Sequence, residues 1–206
     1  MKKITCYCEE TFEADIPEKV DFDQNPGALT AILQGEFMSV TCPACGKILK
    51  PEYPFSLTGS TEGIDFFFVP EMDRAAYFIE KLEYDTGTHQ RIIIGYRELV
   101  EKIKIYKEDL DDRIIEVIKY YLLQKAVDTV KDEDADIDIY FHEKKAGALV
   151  FHIEGIKKDE IAVTQIQGEM YDKIAGDIDK KASTDPFQTF LKPPYVSIKK
   201  VYIDNE

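Results

Sequence analysis

The chain of 206 residues has no tryptophan, only three histidines, and four cysteines, none of them beyond residue 45. It also lacks a basic segment. The formal charge is −14, spread as −6, −3 and −5 over residues 1–70, 71–130 and 131–206. A nucleic-acid binder draws most of its non-specific affinity from neutralising phosphates, so this balance argues against DNA or RNA as a partner. No apolar run approaches the roughly 18 residues that a membrane span needs. Met1-Lys2-Lys3 is followed by Thr5, Cys6, Cys8, Glu9 and Glu10 rather than by the apolar stretch of a signal peptide. The expectation is a cytoplasmic protein, and a reducing compartment favours metal thiolates over disulfides. Catalytic signatures are missing too. There is no Gly-x-Ser-x-Gly. Gly59-Ser60-Thr61-Glu62-Gly63 lacks the Gly-Lys-Ser/Thr of a phosphate loop and reads as a turn. Asp132 to Asp138 does not match a calcium loop and reads as a solvated stretch.

What is present suits a soluble globular chain: 44% hydrophobic and 32% charged residues, with twelve Tyr and twelve Phe as bulky core material. Thr11 to Ile16 reads as a short strand. Asn25 as N-cap, Pro26 at the first helical position and Gly35 at the end delimit a helix. Phe37 to Thr41 is expected to be a strand. Ile48 to Leu57, interrupted by Pro51 and Pro54, reads as an edge or irregular strand. Ile64 to Val69 is apolar on both faces and predicts a buried central strand. Tyr77 to Leu82 and Arg91 to Tyr96 are further strand candidates. Leu99, Val100, Ile103 and Tyr106 mark one helix. Leu110, Ile114, Val117, Ile118, Tyr121, Leu122 and Ala126 mark a second, with Asp109, Asp111 and Asp112 at its positive end.

Lys131 to Asp136 is a charged connector. Ile137, Ile139 and Phe141 then alternate, as do Leu149, Phe151 and Ile153, predicting a hairpin that turns within Lys144 to Gly147. With an odd turn, His142 would face Ala148 and His152 would face Asp138. The two histidines would then lie about 13 Å apart on the polar face, too far for one ion. Glu169 to Asp179 predicts a helix. Val196, Ile198, Val201 and Ile203 suggest a strand with a bulge near Lys199-Lys200.

The cysteines carry the chemistry. Cys6-Tyr7-Cys8 and Cys42-Pro43-Ala44-Cys45-Gly46 are two close pairs separated by 33 residues. Tight turns bring the sulfurs of each pair within the 3.5–4 Å or so that tetrahedral coordination requires, and two such knuckles can meet on one ion. The closed ligand set Cys6, Cys8, Cys42 and Cys45 points to one structural Zn²⁺. Iron is the alternative occupant, because the second knuckle also resembles that of rubredoxins; the first knuckle lacks their two-residue spacer.

Thr41-Cys42-Pro43-Ala44-Cys45-Gly46, the preceding Leu33-Gln34-Gly35-Glu36-Phe37, and the later Gly95-Tyr96-Arg97-Glu98-Leu99, Lys102 to Tyr106 and Leu110-Asp111-Asp112-Arg113 resemble the prokaryotic CpXC domain family over roughly residues 4–125. The first pair departs from that family's Cys-Pro-x-Cys by one residue and lacks the Pro and the following Gly. The resemblance implies the metal and the fold and leaves the activity open. The expected architecture is α+β. A zinc-ribbon-like unit (about 1–56) lies within a β-rich domain with two helices (1–130), and a C-terminal α+β extension follows (131–206). The expected role is a non-enzymatic protein-interaction module with structural zinc, a protein partner, no nucleic acid and no membrane. Two alternatives remain. One is a redox-responsive zinc thiolate, since C-x-C followed by C-x-x-C is also the ligand order of redox-switched holdase chaperones. The other is an enzyme with its site in the C-terminal region.

Overall fold

The computed structural model describes residues 1–60, 63–130 and 136–203. Most of the expected connector, and part of the expected turn at Gly59 to Gly63, lie outside the described residues. The chain is mixed α+β and forms two compact units, Met1–Val100 and Glu101–Glu206.

In the first unit, β1 (Lys2–Thr5) and β2 (Thr11–Ala14) form an antiparallel hairpin. So do β4 (Val40–Thr41) and β5 (Ile48–Leu49). Helix α1 (Pro26–Gln34) lies between the hairpins in sequence, with Asn25 and Gly35 as its caps. A four-stranded sheet has the order β3 (Lys19–Asp21), β6 (Phe55–Gly59), β7 (Ile64–Val69), β8 (Arg91–Ile94). The pairs β3–β6 and β7–β8 are parallel and β6–β7 is antiparallel. Strand β7 is central and nearly wholly buried, as its two apolar faces require. The expected irregular strand at Ile48 to Leu57 divides at Pro51 and Pro54 into β5 and β6, because proline cannot donate to a ladder.

Tyr77 to Leu82 is not a strand. A 3₁₀ turn (Glu71–Asp73) leads into helix α2 (Arg74–Phe78). The Arg74 guanidinium donates to Glu71, Glu98 and the Ile94 carbonyl, which ties the first turn of α2 down. Glu52 accepts from the amides of both Glu71 (2.6 Å) and Tyr96 (3.0 Å), placing a carboxylate at the start of two helical segments. Tyr96 opens helix α3 (Tyr96–Lys107), within which the two compact units divide.

In the second unit, α4 (Asp112–Thr129) starts at the N-cap Asp111, whose carboxylate accepts from the Arg113 amide at 2.8 Å. Its apolar stripe shares one core with an antiparallel sheet of order β11 (Ala162–Gln167), β10 (Ala148–Glu154), β9 (Asp138–Lys145). The helix therefore packs with residues beyond the connector. Helices α5 (Gly168–Ala175) and α6 (Ile178–Lys181) replace the single helix expected over Glu169 to Asp179.

The β9–β10 hairpin differs from expectation in register. Its turn is the even pair Ala146-Gly147, both with positive φ, the geometry of a two-residue primed turn. A bulge between Val150 and Phe151 then shifts the pairing so that Phe141 faces Phe151 and Ile139 faces Ile153. The apolar sets share a face, as expected, but His142 falls at the bulge. It stacks on His152 with centroids 3.9 Å apart and planes 14° apart, not 13 Å away. Burial, His152 and the Lys104 ammonium hold the His142 pKa below the ordinary 6.5, against the opposing pull of Glu143. Below pH 6.5 the unfolded chain thus takes up a proton that the folded ring resists, and stability falls as pH drops through that window. We expect denaturant midpoints to decline from pH 7 to 5.5, with a shallower slope in His142→Phe, which keeps the stacking without the charge.

Val196 to Ile198 is not in a strand, and Lys200–Ile203 forms a helical turn. At Val196 and Ile198 the backbone is satisfied by buried side chains instead of a neighbouring strand, while the Ser197 amide donates to the Phe190 carbonyl. The Val196 carbonyl accepts from Lys102 Nζ (2.8 Å), and the Ile198 amide donates to Glu116 (2.8 Å). These belong to a buried cluster of Glu101, Lys102, Asp112, Glu116 and Lys119, each at most 4% exposed. Lys119 bridges Glu101 and Glu116, at 2.9 Å to each. Lys102 reaches Asp112 at 3.1 Å, and Glu101 accepts from the Phe141 amide at 2.6 Å. Burial alone would neutralise the lysines. Asp112 and Glu116 beside Lys102, and Glu101 and Glu116 beside Lys119, outweigh it and raise both ammonium pKa values.

Candidate metal centre

Each cysteine pair sits in the tip of one of the two small hairpins. In the first, the Cys6 amide donates to the Glu10 carbonyl (2.8 Å) and the Glu9 amide to the Cys6 carbonyl (2.9 Å). In the second, the Cys42 amide donates to the Lys47 carbonyl (2.9 Å) and the Gly46 amide to the Cys42 carbonyl (3.0 Å). Gly46 leaves the second knuckle at φ 72°, a conformation glycine adopts freely. The first knuckle is one residue tighter and has no glycine there. Glu9 takes the equivalent left-handed position at φ 69°. This resolves how a C-x-C pair makes the turn: the shorter loop closes three residues on instead of four, at the expense of strain at Glu9. Glu9→Gly should therefore stabilise the hairpin by about 1 kcal/mol. A higher chelator concentration for half-release of metal would register it; an unchanged or lower one would show that Glu9 is unstrained.

The hairpins bring all four sulfurs within 4.8 Å of one another. Two contacts join one hairpin to the other: Cys6 Sγ to Cys45 Sγ at 3.6 Å, and Cys8 Sγ to Cys42 Sγ at 3.7 Å. A tetrahedron with metal–sulfur bonds near 2.3 Å has sulfurs about 3.8 Å apart, so the donor set fits a four-coordinate thiophilic ion. Cys6 and Cys42 are buried, whereas Cys8 and Cys45 face solvent. Beneath them Ile4, Cys6, Ile16, Cys42 and Leu49 form a small apolar cluster, flanked by Phe12, Ala14, Met38, Val40 and Tyr53.

The thiols cannot all ionise at this spacing without a cation. Burial opposes ionisation of Cys42, but the amides of Cys45 and Ala44 and the neighbouring thiols outweigh it and lower its pKa to about 7. At Cys8 an interaction with the backbone of Glu10 favours the thiolate. Hydrogen bonding with Cys45, Cys6 and Cys42, together with desolvation, overcomes this and pushes the pKa up to about 12. A divalent ion removes that conflict by charge compensation, so metal uptake is tied to proton release. Among the described residues, this is the one group of three or more metal-type ligands brought together.

The sequence profile of the family described as "CpXC protein" matches residues 4–119, more than half of the chain. The chain belongs to the CpXC family. The matched region of this CpXC chain takes in both cysteine hairpins, the four-stranded sheet, α3 and the first part of α4. A protein of Treponema pallidum (strain Nichols), described as uncharacterized, is 24% identical over 222 aligned positions, covering 99% of this chain and 100% of its own. No solved structure matches. Among the described residues, no helix is long and apolar enough to cross a membrane.

Proposed function

We propose that the four thiolates of this CpXC chain hold one Zn²⁺ as a structural keystone, in a zinc-ribbon-like arrangement of the two hairpins. The observation that supports it is the closed set of four sulfurs at tetrahedral spacing. The strands on either side are short, and the apolar cluster under them has five buried members, too small a core to hold two hairpins unaided. The metal itself then takes no part in chemistry, and the protein acts as an interaction module for a protein partner. Tyr7, 88% exposed between two ligands, and Ile48, 68% exposed beside the second knuckle, offer apolar surface in an otherwise acidic chain. Metal analysis of purified protein should find about one zinc per chain. A red preparation with visible charge-transfer absorption would mean iron instead.

Charge speaks against nucleic acid at this site. Of the lysines near the knuckles, Lys2 is already paired with Glu18 at 2.7 Å, leaving few cations to meet phosphates. Fluorescence anisotropy at about 150 mM salt, where only short-range contacts survive screening, should show no binding to single- or double-stranded probes. Micromolar binding that weakens on Lys47→Glu and Lys50→Glu would defeat the protein-partner reading. A redox-responsive role is the second reading, favoured by the solvent exposure of Cys8 and Cys45. Rapid zinc release by mild peroxide, reversed by reductant, would promote it over the first.

A further inference from the structure

Three side chains far apart in sequence meet on one face of the four-stranded sheet. In the β6–β7 register, Ser56 pairs with Phe67 and Thr58 with Asp65, so Ser56 and Asp65 are diagonal neighbours on the same side. His89, two residues before β8, spans the gap between them. Its Nδ1 lies 2.5 Å from Asp65 Oδ1, and its Nε2 lies 3.2 Å from Ser56 Oγ. The other Asp65 oxygen accepts from the Gln90 amide at 3.3 Å, which fixes the carboxylate. The Phe67 ring packs against the imidazole at 5.6 Å, with Tyr84 behind Phe67 at 6.1 Å.

The chemistry of this chain of contacts is directional. An ionised carboxylate only accepts hydrogen bonds, so an imidazole proton on Nδ1 points at Asp65, and in the neutral ring this leaves a lone pair on Nε2. The Ser56 hydroxyl must then donate to Nε2. That is the arrangement of a nucleophile, its general base and the group that orients the base, which is recognised by geometry and roles rather than by sequence order. His89 is 21% exposed and Ser56 is half-buried, so an acyl group can approach from solvent.

We propose that Ser56, His89 and Asp65 form an acyl-transfer site that hydrolyses small esters, with Ser56 as nucleophile. This goes beyond the zinc reading and stands independently of it. Ser56 Oγ attacks the ester carbonyl carbon while its proton passes to His89 Nε2. The tetrahedral intermediate collapses, the C–O bond to the alcohol breaks, and the leaving oxygen takes that proton from Nε2. Water then attacks the acyl-serine, giving a proton to Nε2, and the carboxylic acid departs as the proton returns to Ser56 Oγ. Asp65 acts through His89 and is a positioning residue.

The substrate class follows from what surrounds the nucleophile. The Ser56 amide already donates to the Glu18 carbonyl at 3.0 Å, so it does not stabilise a developing oxyanion. Lys19 lies directly opposite Ser56 on β3 and so shares its face of the sheet. With one flexible ammonium in place of fixed amides, the site suits esters with good leaving groups, and the Phe67 ring suits a small apolar acyl group.

The test uses the full zinc-loaded chain with p-nitrophenyl acetate and, separately, a fluorophosphonate probe, with modified peptides mapped by mass spectrometry. The expected result is one modified residue, Ser56, and nitrophenolate release that Ser56→Ala abolishes. His89→Gln should slow labelling at least ~100-fold, the lower end of what a positioned general base supplies. Asp65→Asn should lower the rate and displace its pH profile, which a merely structural role would not do. Labelling of Ser56 no faster than of the exposed Ser60, or unchanged in His89→Gln, would overturn the proposal and leave the three side chains as a tie between a loop and the sheet. Site mapping is done on the unaltered chain, so it decides the matter even where a variant does not fold.

Discussion

Cys42→Ser is expected to abolish stoichiometric metal binding and to open both cysteine hairpins to protease. Cys42 is 1% exposed, contacts Cys8 across the hairpins and belongs to the small apolar cluster beneath the site. A serine hydroxyl keeps its proton at neutral pH and is a far poorer ligand for a soft ion than a thiolate. Apparent binding free energies of structural zinc run to about 10–16 kcal/mol, and for such sites binding energy is folding energy. Losing one of four thiolates therefore removes a large share of what holds the two hairpins closed over a small apolar cluster. Metal analysis should find well under one zinc per chain, and limited trypsin digestion should cut at Lys3 and Lys47. Tyr7→Ala, between two ligands but solvent-exposed, should keep its zinc and its resistance. A Cys42→Ser protein with near-stoichiometric zinc and unchanged digestion would refute the keystone role.

Lys119→Met is expected to destabilise the second unit by about 3–5 kcal/mol, because it takes the ammonium from buried Glu101 and leaves Glu116 with Lys102 alone, at 3.5 Å. The loss comes from the unpaired charges more than from the missing attraction. Replacing Lys119, Glu101 and Glu116 together by apolar residues of similar volume should recover much of it, though the amides of Phe141 and Ile198 then lose their acceptors. Urea denaturation should show a lower midpoint for the single variant and partial return in the triple. A Lys119→Met midpoint within experimental error of the parent would mean that the cluster is solvated and not sealed. The cluster also has a structural consequence. Its carboxylates and ammonium groups take the backbone partners that a strand would otherwise give to Phe141, Val196 and Ile198, and so hold the C-terminal segment in place.

Local chemistry was readable in the linear chain. Pro26 and Gly35 bounded α1, the apolar run Ile64–Val69 marked the central strand, and the spacing of Cys6, Cys8, Cys42 and Cys45 pointed to the four-cysteine cluster. These features depend on a residue and its near neighbours: proline's fixed φ, glycine's freedom, the period of burial, and the reach of a tight turn. Tertiary structure decided what depends on partners distant in sequence. Apolar parity identified the faces of the β9–β10 hairpin, but only the packed sheet fixed the bulge that stacks His142 on His152. Val196 and Ile198 carry a strand-like pattern, yet Lys102 and Glu116 satisfy their backbone, because a buried amide needs a partner and not a particular kind of partner. Ser56, Asp65 and His89 form no motif in one dimension; strand register and a loop return bring them together. Charged residues at the buried positions of α3 and α4 were the one trace of the ion cluster in the sequence. Only the fold shows that these side chains find each other, since a buried ionisable group needs a partner away from water.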